Sequence, residues 1–163
     1  MTGTEGRMTS SHDHPRSVLG RITASYPRIH RILVPLDFSG KSRQALRYAV
    51  PLGQKFSARI HLVHVLAEPA KSEQAQLPAR RHEAIKRLGQ MSQQLLPPRL
   101  RAENAVLVGR PAEQILALVE KNSIDLIVLT TKGRAGLKRA LIGSTAEAIM
   151  RSARCPVLSV RRF

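Results

Sequence analysis

A chain of 163 residues is long enough for one domain with a proper core and too short for two ordinary ones. Hydrophobic residues make up 42% and charged residues 23%, near the average for globular proteins, and no run approaches the roughly 20 apolar residues of a membrane-spanning helix. The net charge of +16 exceeds what solubility asks of a small domain and brings polyanions into view, while a single cysteine, Cys155, excludes an intramolecular disulfide and any Cys-rich metal site.

Residues 1–28 are polar, carry no apolar run of the signal-peptide kind, and read as a flexible tail in which Met8 offers a second candidate start. The folded domain is expected over residues 29–163. Ile32 to Pro35 is the first predicted strand, followed by a helix on which Ala45, Leu46, Ala49, Val50 and Leu52 recur at helical spacing. Pro51 predicts a bent or frayed last turn there. Ile60 to Leu66 is the second strand, and residues 67–80, with two prolines, make a surface connection. A helix is predicted from Arg81 to Leu96, stopped by Pro97 and Pro98. Val106 to Val108 is the third strand. Pro111 suits the first turn of the next helix, whose buried face carries Ile115, Leu116, Leu118 and Val119. Ile124 to Thr131 is the fourth strand, Thr145 to Ser152 a helix, and Pro156 to Val160 the fifth strand.

Short apolar strands alternating with helices predict a doubly wound α/β domain, a five-stranded parallel sheet covered on both faces. Scarce aromatics (3%) agree with a core of Val, Ile, Leu and Ala. Such sheets take ligands beyond the carboxyl ends of their strands, where the strand order reverses. The loops after the first, second and fourth strands are therefore the ones to inspect.

After the fourth strand comes a glycine-punctuated segment, GRAGLKRALIGS, that leads into a helix. Glycines allow backbone N–H groups to approach an anion, and a helix start adds unpaired donors and a favourable dipole. Ser144 with Glu147 has the form of a capping box, a role compatible with a phosphate contact by the same helix start. Asp37, at a strand end, is placed either to accept from an amine or hydroxyl or to cap the next helix together with Ser39. Val65 reads as core, His64 as a hydrogen-bonded core histidine, and Cys155 as packing at a strand entrance.

Residues 31–163 resemble the universal stress protein family along their whole length. RILVPLDFSGKSRQAL, HLVHVL, VLVGRPAEQI, DLIVLTTKG and GLKRALIGSTAEAIMRSARCPVLSV stand in the family's order and spacing. Nucleotide-binding members carry a glycine, two residues, a glycine, nine residues and then Gly-Ser or Gly-Thr. Gly133 and Gly143-Ser144 complete that motif here, and Thr130 occupies the first glycine position. The resemblance implies ATP or another adenine nucleotide as ligand, with Mg2+ where ATP is bound. It implies that Asp37 and Val65 contact base or ribose, that Pro35 and Leu36 shape the wall, and that Leu129 and Thr130 line the pocket. Gly133, Gly143, Ser144 and Thr145 would hold the phosphates.

No nucleophile, base and orienting residue form a set, and a Walker-type lysine loop is absent, so the expectation is binding rather than catalysis, with any ATP hydrolysis slow and incidental. The expected setting is a cytoplasmic homodimer paired through Pro156 to Val160 and not associated with a membrane. With no helix-turn-helix, zinc or aromatic-stacking signature, contact with nucleic acid is expected to be weak and indifferent to sequence. The rival reading is a nucleotide-free dimeric interaction module in which Thr130 closes the pocket and the basic surface does the recognising.

Overall fold

The computed structural model describes residues 28–131 and 142–160. Its elements are β1 (Arg31–Pro35), α1 (Ser42–Phe56), β2 (Arg59–Leu66), a 3-10 segment (Lys71–Gln76), α2 (Leu77–Leu95), β3 (Ala102–Val108), α3 (Pro111–Lys121), β4 (Leu126–Thr130), α4 (Ser144–Ser152) and β5 (Val157–Val160). The strands form one parallel sheet in the order β3-β2-β1-β4-β5. The order reverses between β1 and β4, which places the switch point there.

Alternation along each strand divides the core in two. Ile32, Val34, Ile60, Leu62, Leu126 and Val128 face α1 and α2, packing on Ala45, Leu46, Ala49 and Leu88. Leu33, Val63, Ile127 and Leu129 face the other way, onto Ile115 and Val119 of α3 and Ala146 and Ile149 of α4. The sheet is thus covered on both faces, as the alternation of strands and helices predicts.

Several bounds differ from the sequence expectation. Helix α1 runs five residues beyond Pro51, to Phe56, and closes at Ser57 in a left-handed conformation (φ 54°). Pro51 and Arg47 are both exposed, so water can reach the carbonyl that loses its helical partner and the chain continues. Gly53 marks where this helix comes nearest the sheet: a Cβ there would lie 2.9 Å from Ile60 Cδ1. Helix α2 begins at Leu77, four residues ahead of expectation, because Pro78 falls in its first turn, where a missing N–H costs nothing. Strand β3 starts at Ala102 rather than Val106; its first residues Ala102, Glu103 and Asn104 are exposed and carry no apolar signal.

Candidate functional site

The residues singled out around the first, second and fourth strands come together at the carboxyl ends of β1, β2 and β4. Pro35 ends β1 opposite Val63, and Leu36 extends the ladder by donating its N–H to Val63 O at 2.7 Å. Ile32 pairs with Leu126, and Leu33 with Ile127. The same offsets carried to the strand ends set Asp37 level with Val65 and Thr131, and Leu36 level with Thr130. Leu36 and Leu129 turn their side chains into the two cores, at 3% and 2% exposure, while Pro35, Asp37, Val65 and Thr130 are half-buried.

The turn that presents Asp37 is tied on both sides. Asp37 Oδ1 accepts from Ser39 N–H at 2.9 Å, and Ser39 Oγ accepts from Ser42 N–H at 3.1 Å at the start of α1. Between them Phe38 has φ 60°, a left-handed conformation that a bulky residue seldom adopts. Its ring lies 4.2 Å from that of His64, with Arg87 of α2 at 4.2 Å on the aromatic centroid. His64 Nδ1 donates to Leu36 O at 2.7 Å, as expected of a hydrogen-bonded core histidine; the accepting carbonyl fixes that nitrogen as the protonated one. Phe38 and Arg87 carried no signal in the sequence, because neither the turn conformation nor a contact across 49 residues can be read from spacing.

On the β4 side, Gly143 N–H donates to Thr131 O at 2.7 Å, which docks the start of α4 on the end of the strand. Gly143 itself occupies the N-cap position with ordinary extended angles (φ -75°, ψ 146°). Ser144 is therefore the first residue of the helix, and the expected capping box does not form. Among the described residues no side chain caps this helix, and the Glu147 carboxylate accepts instead from Arg151 Nη2 at 2.9 Å. Ser144 is exposed and Thr145 half-buried. With Gly143 N–H committed to Thr131, the amides of Ser144, Thr145 and Ala146 form the helix start that has no partner within the helix. Gly133 lies outside the described residues.

Cys155 is half-buried at the entrance to β5, where burial and then the Asp125 carboxylate push its thiol up, so it stays protonated at neutral pH. Among the described residues, no three His, Cys, Asp or Glu side chains gather as metal ligands would, and no helix is long and apolar enough to cross a membrane.

A parallel sheet whose strand order reverses between β1 and β4, with a polar turn after β1 and a helix start docked on β4, is an α/β domain of the doubly wound, switch-point class. The profile of the universal stress protein family matches residues 28–161, and the chain belongs to that family. The universal stress protein MJ0531 of Methanocaldococcus jannaschii is 31% identical over 142 residues, covering 81% of this chain and 82% of the relative. The solved structure of protein MJ0577 from the same organism superposes with a TM-score of 0.76 at 26% identity, covering 83% of this chain and 98% of that one. A universal stress protein of Archaeoglobus fulgidus, solved in complex with dAMP, shares the fold at 17% identity, with a TM-score of 0.55 over 82% and 99% of the two chains.

Proposed function

We propose that this protein binds ATP or another adenine nucleotide across the carboxyl ends of β1, β2 and β4, and that occupancy acts as a switch or reporter in a stress response. The observation that carries the reading is the junction of β4 and α4. The hydrogen bond from Gly143 to Thr131 sets the amides that open α4 beside the strand ends bearing Asp37 and Val65. Phosphates would lie against Gly133, Gly143, Ser144 and Thr145, and base and ribose against Asp37 and Val65, with Pro35, Leu36, Leu129 and Thr130 as walls. That a protein of this fold has been solved with dAMP supports an adenine nucleotide as ligand class. Mg2+ would arrive with the triphosphate. The role is binding rather than catalysis, in a homodimer and in a reducing compartment, the cytoplasm, that suits a lone thiol.

Thr130 is the departure that sets affinity. It ends β4 paired with Val160, so the backbone path of an ordinary strand is kept and only its side-chain volume intrudes on the ribose. An overpacking cost of about 1 to 2 kcal/mol follows, which is roughly a tenfold to thirtyfold weakening. Calorimetric titration with ATP and Mg2+ should detect binding by the natural chain, tightened by about that factor in Thr130→Gly. Gly143→Val should abolish it without straining the backbone, since the φ of Gly143 suits any residue and, among the described residues, a Cβ there meets only Thr131 O, at 3.5 Å. No heat at millimolar ATP, with binding restored by Thr130→Gly, would replace the nucleotide reading of the natural chain by the interaction module that Thr130 favours.

A further inference from the structure

Among the described residues, the positive charge is not spread evenly over the two faces of the sheet. Helices α1 and α2, which share one face, carry seven Lys or Arg against one Glu, a net of +6. Helices α3 and α4, on the other face, carry two against three, a net of -1. Three of the cations on and beside α3 and α4 are also neutralised locally. Arg110 pairs with Glu113 at 3.0 Å, Arg151 with Glu147 at 2.9 Å and Arg154 with Glu120 at 3.3 Å. Among the described residues, no Lys or Arg of α1 or α2 makes an ion pair.

We infer that the α1–α2 face is a docking surface for the phosphate backbone of nucleic acid, read without regard to base sequence. Arg43, Arg47 and Lys55 are exposed along α1, and Arg81 and Lys86 along α2. From Arg43 to Lys55 the row extends about 18 Å along the helix axis, a length over which duplex DNA presents about ten phosphate charges. Beyond the end of α1 the positive surface continues, because Arg99 and Arg101 line a cleft with Gln54 and Ser57. Arginine predominates in this set, and its planar fork matches a phosphate with two hydrogen bonds.

An anionic membrane fits this face less well. The apolar stripes of both helices, including Ala45, Leu46, Ala49, Ala84, Leu88 and Met91, are turned into the core, so neither helix keeps a stripe to insert between lipids. Tyr48 and Phe56 on α1 and Ile85 and Leu95 on α2 are exposed, but they stand singly, two or more turns apart along each helix. The surface can hold a charged backbone and offers no continuous apolar stripe with which to enter a bilayer. Contacts from these cations go to phosphates, which carry no base information, so the binding is indifferent to sequence.

The test compares two triple variants of equal net charge in the full chain. Arg43→Glu, Arg47→Glu and Lys86→Glu change the proposed face; Arg110→Glu, Arg151→Glu and Arg154→Glu change the opposite one. Binding to a short DNA duplex of arbitrary sequence and to single-stranded RNA is followed by fluorescence anisotropy between about 50 and 200 mM salt. The natural chain should bind at least one of the two with a steep salt dependence. The first triple variant should lose at least about tenfold in affinity and about three in the slope of log affinity against log salt, and the second should retain its slope. A glutamine version of the first set, which removes repulsion from the comparison, should lose the same slope. Equal losses from both faces would reduce the effect to net charge and overturn the assignment. Absence of binding by the natural chain at the lowest salt would overturn it as well, as would binding to phosphatidylserine vesicles and to neither nucleic acid.

Discussion

Phe38 shows how one side chain can hold a turn against the preference of its own backbone. A left-handed φ costs an L-residue about 1 to 2 kcal/mol, and glycine escapes that cost. What offsets it here is burial of the ring, 9% exposed, between His64 and Arg87. Removing the ring without freeing the backbone keeps the cost and discards the compensation. Phe38→Ala should therefore destabilise by about 3 kcal/mol or more, as large-to-small changes in cores do. Phe38→Gly loses the same ring but relieves the φ, and should be the more stable of the two by about 1 kcal/mol, the reverse of the order expected at an ordinary position. Denaturant midpoints of the two variants decide it, and an alanine variant more stable than the glycine one would mean that the turn relaxes out of the left-handed region once the ring is gone.

At the scale of elements, the apolar strands and helix faces were legible because they obey a period, and the differences lie where local chemistry interrupts it. The start of β3 is polar, Pro78 resembles a break although it sits in a first turn, and Ser144-x-x-Glu147 resembles a cap although the chain uses Gly143 as N-cap and spends the glutamate on Arg151. At the candidate site, the strand-end residues were legible through the family motif, whereas the clamp of His64, Phe38 and Arg87 was not, since it depends on three elements meeting. The strand pair β2–β3 holds another such feature. His61 is buried at 5% exposure, its Nδ1 lies 3.3 Å from Glu103 Oε2, and its Nε2 is buried without a hydrogen-bond partner. Burial above all holds this imidazole below the usual histidine range, Glu103 opposes the shift, and Arg59 and Arg31 add to it. Above about pH 6.5 the ring is neutral in both folded and unfolded chains and imposes no pH dependence. As pH falls through that value, the unfolded chain takes up a proton that the folded one resists, so stability declines. The thermal midpoint should drop between pH 7.5 and pH 5.5 in the natural chain and drop less in His61→Leu, which also removes the unpaired nitrogen. An equal drop in both would assign the acid sensitivity to other groups.

On the scale of the whole molecule, the two edges of the sheet differ in a way that selects one of them for pairing. The β3 edge begins with Ala102, Glu103 and Asn104, all exposed, and Glu103 is ion-paired to Arg59 of the neighbouring strand; charge of this kind blunts an edge against a second chain. The β5 edge, Val157 to Val160, has no charged residue, and Leu158 is 37% exposed on it. An uncharged apolar edge left open would recruit strands without limit, whereas two-fold pairing with the same edge of a second copy uses both edges at once and stops. The prediction is a homodimer closed through β5. Antiparallel pairing across that edge would continue the sheet and set both α1–α2 faces on the same side, doubling the basic surface rather than burying it. Sedimentation at micromolar concentration should therefore show a dimer for the natural chain and a monomer for Leu158→Lys, with far-ultraviolet circular dichroism unchanged. A natural chain that sediments as a monomer, or a dimer that survives the lysine, would place the association elsewhere or remove it.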